Sequence, residues 1–231
     1  MRQAKRSAPE GLCVVAREQT HGRGRHERVW TSPRDAGLYF SLLLRPLFDV
    51  SVWPLTTLMA ALAVSDALKE SCGLHTDIKW PNDLVFDGRK LCGILAETVE
   101  TDEGIACVLG IGINLREDAY PPVLQDRATS VAGITGKAPD AEQLLPVLLE
   151  KLSRRYAQLA EEKGTVAIIR DWTKVSSFAT GKWVRVDTGT EVFEGTSRGL
   201  ESDGALRVET SAGETKIVRA GDVQSLRPVD N

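Results

Sequence analysis

The sequence predicts an α+β protein: a mixed, mostly antiparallel sheet with helices packed on it, followed by a small β-barrel. Three observations carry this. Between Thr76 and Leu115 several strand-like runs follow one another with no helical pattern between them, which argues against a doubly wound parallel sheet. Two helical patterns then stand side by side, Ala141 to Glu161 and Thr165 to Lys174. From Phe178 the texture changes to five short alternating segments parted by Gly, Asp and Ser, the pattern of a small barrel. A boundary near Ser177 divides the chain into units 1–177 and 178–231.

In chain order, the first ten or so residues read as a frayed lead-in. Leu12 to Arg17 and Gly37 to Arg45 are short, apolar and β-prone, so both read as buried strands, with a basic loop between them. Pro54 suits the first turn of a helix. Leu55, Leu58, Met59, Leu62 and Leu68 follow at helical spacing, so residues 55–71 form an amphipathic helix, stopped by Gly73. Thr76 to Trp80 is a strand, Pro81-Asn82-Asp83 a turn and Leu84 to Phe86 a strand. Asp87-Gly88 is a hairpin signal, and Lys90 to Val99 the returning strand. Ile105 to Leu115 follows. Its GIGIN stretch lacks the third glycine and the helix of a dinucleotide fingerprint, so the glycines mark close approach by a ligand or a neighbouring strand. Residues 118–137 form a Pro- and Gly-punctuated connection. Asp140 caps the helix Ala141 to Glu161, whose Leu144, Leu145, Leu148, Leu149, Leu152 and Leu159 face inward; Ile168, Ile169 and Trp172 do so in the next helix. The barrel strands are Gly181 to Val186, Glu191 to Ser197, Ala205 to Val208, Thr215 to Arg219 and Val223 to Leu226.

Composition narrows the function classes. With 231 residues, 42% hydrophobic and 26% charged, the chain builds a real core and is not disordered. A net charge of −3 and a pI near 5.7 offer no general attraction to nucleic acid, so no nucleic-acid partner is expected without a local patch. The apolar stretches Leu38 to Leu44 and Leu58 to Val64 are too short to span a bilayer, so no membrane partner is expected. Met1 to Gly11 has no apolar segment of a secretory signal. The four cysteines form no CxxC pair, and His21, His26 and His75 show no metal-ligand spacing. A cytoplasmic protein with reduced thiols and no structural metal is expected.

Chemistry concentrates in Arg17 to Trp30, REQTHGRGRHERVW, together with Lys79 to Asp83, KWPND. Glycine lets backbone approach a ligand, and arginine presents a planar fork of donors that suits phosphate or carboxylate. Arg23, Arg25 and Arg28 interleaved with Gly22 and Gly24 thus suit an anion, although a solvated basic turn or an RNA-contacting tract has the same composition. Lys79 beside the rigid Trp80-Pro81 step has an aimed head, or is an ordinary exposed lysine next to a buried indole. Lys90, across the hairpin from Phe86, reads equally as a site cation or as hairpin solubility. Glu97 and Asn114 are polar residues in apolar strands and each needs a partner or a ligand. Trp30 offers a flat face for a purine. No Ser/His/Asp set, paired carboxylates or metal cluster competes with this arrangement.

QTHGRGRHERVW, GLYFSLLLRP, KWPNDLVFDGRKLCGILAE and GIGIN, in this order and spacing, resemble biotin protein ligase. The resemblance covers about Cys13 to Trp172 and the barrel after it. It implies a class II synthetase-like catalytic domain with an SH3-like C-terminal barrel. It also implies an ATP-dependent ligase that makes biotinyl-5′-AMP and pyrophosphate, with Mg²⁺, and then biotinylates one lysine of a biotin carboxyl carrier domain in acetyl-CoA carboxylase or another biotin-dependent carboxylase. By resemblance, Gln19, Gly22 and Arg23 line the biotin ureido pocket and the edge of the phosphate loop. Arg25 and Arg28 close over the adenylate and the departing pyrophosphate, and Trp30 stacks on adenine. Lys79 matches the lysine that touches the biotin carboxylate and the α-phosphate, with Lys90 a further phosphate contact. Catalysis is thereby assigned to Lys79, Arg23 and Arg25. Asn82 and Asp83 lie near the Mg²⁺–phosphate region. Gly93 and Leu95 form the biotin pocket wall, while Gly110, Gly112 and Asn114 form its floor and the adenine edge. Members of the family often pair through the catalytic sheet, so a homodimer is compatible with the resemblance.

Three departures stand out. The family's Ser-Thr-Asn segment, upstream of the Gln19 position, has no counterpart in MRQAKRSAPEG, so either the start is truncated or the pocket is depleted. Glu27 stands where GRGRxGRxW has a glycine and puts a carboxylate beside the phosphate loop. No helix-turn-helix segment precedes the catalytic region, so a DNA-binding repressor role is not expected. A lipoate- or octanoate-handling ligase or transferase of the related fold is the alternative, and Gln19 with the GRGR loop speaks against it. The loop Gly22 to Arg28 is expected to exchange amide hydrogens fast without ligand and slowly around biotinyl-adenylate; fast exchange in that complex would count against a closing role.

Overall fold

The structure, a computed structural model, describes residues 1–219 and 221–225. Its main sheet has six strands: β1 (Cys13–Ala16), β2 (Gly37–Leu44), β3 (Asp77–Lys79), β4 (Asp83–Phe86), β5 (Arg89–Thr101) and β6 (Gly104–Asn114). They lie in the order β1-β2-β6-β5-β4-β3, and every named pair is antiparallel. Asp87 and Gly88 both take positive φ, as a two-residue hairpin turn requires.

Alternation along β5 and β6 separates two faces. Cys92 and Ile94 of β5, with Leu109, Ile111 and Ile113 of β6, join the core beneath the sheet. Gly93, Leu95, Glu97, Gly110 and Gly112 point the other way. β1 departs from the expected buried strand: Val14 is 51% and Val15 50% exposed, because β1 is the sheet edge and nothing packs across it among the described residues.

Helix α1 (Leu55–Cys72) underlies the sheet and ends at Gly73 with φ +64°. It was expected to be amphipathic, yet from Leu55 to Leu68 only Thr57 and Asp66 are not buried. The sheet, two further helices and the barrel enclose it on every side. A five-residue helix, α2 (Val131–Thr135), interrupts the connection read as irregular, with the Ser130 side chain accepting from the Gly133 amide. Asp140 caps α3 (Ala141–Leu159), accepting from the Glu142 amide at 2.8 Å. α4 (Gly164–Val175) buries Ile168 and Trp172. No helix among the described residues is long and apolar enough to cross a membrane.

Arg155 of α3 ties the three long helices together. Its guanidinium donates to Asp66 of α1 at 2.8 Å and to Asp171 of α4 at 2.7 Å. Burial works to raise the Asp171 pKa, but the hydrogen bonds from Arg155 and Arg170 outweigh it and hold the carboxyl below its usual value.

The second sheet holds β7 (Thr180–Asp187), β8 (Val192–Leu200), β9 (Leu206–Thr210), β10 (Thr215–Val218) and β11 (Asp222–Ser225), ordered β10-β9-β8-β7-β11. Leu226, expected to end the last strand, lies outside the described residues. One apolar core runs through both sheets and includes Leu55, Trp80, Val184 and Val208. The Trp80 indole is buried and donates to the Gly204 carbonyl at 2.9 Å, so this tryptophan is fixed against the barrel.

Arg155→Met is expected to lower stability at pH 7 by roughly 1–3 kcal/mol, the scale of hydrogen bonds to charged groups. A carboxylate whose folded pKa is depressed contributes stability above its unfolded pKa and loses it as pH falls through the folded value. The gap between wild type and variant in urea unfolding should therefore narrow from pH 7 to pH 3; an unchanged gap would rule out the Asp171 contribution.

Candidate active site

The basic loop is a narrow hairpin. Gln19 bridges to Ser32 and Arg23 to Val29, the Trp30 amide donates to the Gly22 carbonyl, and the Gly24 amide to the Arg28 carbonyl at 2.7 Å. Residues Arg25–Glu27 form its tip, a single 3₁₀ turn with His26 at φ +52°. Gly22 is packed under this hairpin, where a Cβ would run into the Trp30 carbonyl. It shapes the loop and does not line the cavity. Gln19 does line it, with its Oε1 accepting from the Ser32 hydroxyl at 2.7 Å.

Between this hairpin and the outer sheet face lies a cavity of about 560 Å³. Its floor is the cross-strand pair Gly93 and Gly112, and the Trp30 ring rests on it. A Cβ on Gly112 would meet the indole Nε1 at 2.5 Å and Cε2 at 2.7 Å, and one on Gly93 the ring Cζ3 at 3.0 Å. Only glycine leaves room for the ring on both strands. The Trp30 Nε1 is buried and meets no acceptor among the described residues. Leu95, Glu97 and Gly110 continue the floor along β5 and β6.

Cations stand at several points around the cavity. Arg23, Arg25, Arg28 and Lys90 all line it. Arg23 donates to Glu97 at 2.7 Å, Lys90 lies 2.6 Å from Asp83, and the Lys90 ammonium sits 5.3 Å from the Trp30 ring centroid. Arg25 reaches the barrel, donating to the Gly221 carbonyl at 3.1 Å. With Arg23 61% exposed, its pair with Glu97 is of the kind worth about 0–1 kcal/mol, and an anionic ligand can replace it at little cost.

Lys79 is the exception among the expected cations. It ends the edge strand β3 and is not among the residues lining the cavity, whereas Lys90, on the longer strand β5, is. The register of β3 nonetheless sets Lys79 opposite Asp83, which is itself opposite Gly93, so Lys79 lies in the same cross-strand row and on the same face as the Gly93–Gly112 floor. Asn82 and Asn114 line the cavity, but their amides donate to backbone: Asn82 to Ile94 at 2.6 Å and Asn114 to Thr129 at 2.9 Å. They hold the Pro81–Asp83 turn and the 127–130 segment against the sheet.

Asp83 faces the cavity with its carboxylate on Lys90. No three His, Cys, Asp or Glu side chains among the described residues are grouped to hold a metal, so these residues do not form a Mg²⁺ cradle by themselves. Burial pushes the Cys92 thiol far up and Cys107 to about 11; both are packing groups, not nucleophiles. Sequence reasoning missed the walls supplied by residues 1–4, by Ser41 and Val108, and by Tyr120, Leu124 and Arg127. The period-two pattern could have found Ser41 and Val108; the others depend on how distant segments fold back.

Gly112→Ala should lift the Trp30 ring from the floor, an overpacking step of about 1–3 kcal/mol. The expected readout is a red shift in tryptophan emission that vanishes in a Trp30→Phe background. Identical spectra would show that the ring does not rest there.

Residues 3–114 match the model of the biotin/lipoate A/B protein ligase family, and residues 180–225 that of the biotin protein ligase C-terminal domain. The bifunctional ligase/repressor BirA of Bacillus subtilis is 37% identical over 220 residues, covering 94% of this chain and 67% of that one. The biotin–[acetyl-CoA-carboxylase] ligase of Paracoccus denitrificans is 36% identical over 217 residues, covering 91% and 88%. Among solved structures, the biotin protein ligase from Aquifex aeolicus in complex with biotin and ATP superposes with a TM-score of 0.83 at 30% identity, over 95% of this chain and 91% of that one. With both regions matched in order, and the arginine hairpin set over a glycine floor, the chain belongs to the biotin protein ligase family.

Proposed function

We propose that this chain condenses biotin with ATP to biotinyl-5′-AMP and pyrophosphate, then transfers biotin to a lysine of a biotin carboxyl carrier domain, such as that of acetyl-CoA carboxylase. The carrying observation is one cavity with a glycine floor and apolar walls along the strands, lined by the cations of the arginine hairpin and of β5. That is the shape and charge wanted by an apolar acid whose carboxylate must meet a nucleotide.

The first step joins two anions. The biotin carboxylate attacks the α-phosphorus, the acyl–phosphate bond forms, and pyrophosphate leaves with the electron pair. Repulsion between carboxylate and phosphate must be offset where they meet, a role we assign to Lys79, in the cross-strand row of the glycine floor, together with Lys90 beside Trp30. Arg23, Arg25 and Arg28 suit the phosphate oxygens, which their forked donors match. Trp30 lines the cavity as a stacking surface for adenine. Mg²⁺ would enter with the triphosphate and would offset part of its charge, with Asp83 the nearest carboxylate of the cavity to it by resemblance. In the second step the neutral amine of the acceptor lysine attacks the acyl carbon, AMP departs and the amine loses a proton. The mixed anhydride is labile to water, so closure of the hairpin over it protects the intermediate. The reading carries with it a cytoplasmic setting, where the four unpaired cysteines would stay reduced.

ATP–pyrophosphate exchange with biotin, with lipoate and with neither acid tests the first step. Exchange is expected with biotin alone; exchange with lipoate alone would move the chain to the neighbouring activity. Lys90→Gln should slow biotin-dependent exchange on the order of 10²–10³-fold, as removal of a preorganised charge partner does. Lys79→Gln should slow it by a similar order, and an unchanged rate there would leave Lys90 as the offsetting cation.

A further inference from the structure

We infer that Arg45 is a positioning residue for the acid end of the cavity, holding the turn of residues 1–8 in place as that end's wall. The inference rests on the reading that the cavity takes biotin. The segment expected to be frayed is folded: a 3₁₀ turn at Ala4–Arg6 with Ala4 1% exposed. Ala4 packs on Leu43, Val99 and Ala106, which project from the cavity face of β2, β5 and β6. Met1, Arg2 and Gln3 then line the cavity. Val99 lies six positions beyond Gly93 on β5, so this wall stands roughly 20 Å from the Trp30 floor by strand rise.

Arg45 ties this turn down. Its Nη2 donates to the Ala8 carbonyl at 3.1 Å and the Ala4 carbonyl at 3.4 Å, and lies 3.3 Å from the Glu103 carboxylate. Nη1 donates to the Thr101 hydroxyl at 3.2 Å, and the Arg45 amide to Glu10 at 2.8 Å. One guanidinium thus bridges the N-terminal turn to the β5–β6 hairpin. Its side chain is only 17% exposed, so these bonds are not competed away by water. A lysine cannot reproduce them, having a single ammonium where the fork serves two segments.

Arg45 does not line the cavity, so its loss should act through the wall it holds and on biotin alone. In biotin-dependent exchange, Arg45→Met is expected to raise the KM for biotin by about tenfold and Arg45→Lys by less, with kcat and the KM for ATP within about twofold of wild type. Amide exchange of residues 4–11 should speed up in the same variants. An unchanged KM for biotin, or a parallel rise in the KM for ATP, would overturn the inference. Should Arg45→Met fail to fold, Gln3→Ala carries the test: its side chain is exposed on the turn and its loss should raise the KM for biotin alone. No effect there would equally overturn it. Wild-type protein inactive with biotin would instead defeat the ligase reading, so the two failures are distinguishable.

Discussion

The pairing of β5 with β6 is the constraint on which the rest depends. Its register sets Gly93 opposite Gly112 and Leu95 opposite Gly110 on one face, with Cys92 opposite Ile113 and Ile94 opposite Ile111 on the other. A slip of one residue would exchange the faces, burying Glu97 and exposing the isoleucines. Register is thus held by the apolar side, through α1, while the open side is left free to carry glycine and charge. The site needs no apolar contribution from its own floor because the opposite face already supplies it.

Charge on the open face is arranged in exchangeable pairs. Glu97 and Asp83 neutralise Arg23 and Lys90 across the cavity. Such pairs keep long side chains near the geometry that a phosphate needs, and they limit the self-repulsion of several cations around one cavity. They hold the cations without competing strongly with a multiply charged ligand.

Element types and order were legible because they follow from local period and turn chemistry. Asp87-Gly88, Gly73 and Asp140 act where their side-chain and backbone preferences put them. What the sequence could not show was which neighbours cover an element. α1 has a helical stripe in sequence, but its remaining faces are closed by α3, α4 and the barrel, so small residues such as Ala60 and Ala63 are buried too. The N-terminal turn is ordered by Arg45, distant in sequence. Trp80 is buried, as its place beside Lys79 suggested, but its acceptor, the Gly204 carbonyl of the barrel, is distant in sequence and left no local signal. The chemistry of the arginine hairpin was visible from composition, and the register places Lys79 and Lys90 on the face that carries the glycine floor.

The continuous core has a mechanical corollary. Leu55, Trp80 and Val208 belong to one packed cluster, so swinging the barrel as a rigid body would open an apolar seam to water. The barrel is therefore better viewed as part of the frame than as a moving jaw. The hairpin tip at Arg25, which donates to the Gly221 carbonyl, lies outside that cluster and can shift without opening it. Such a division lets the enzyme admit a bulky protein acceptor while the greater part of its mass stays still.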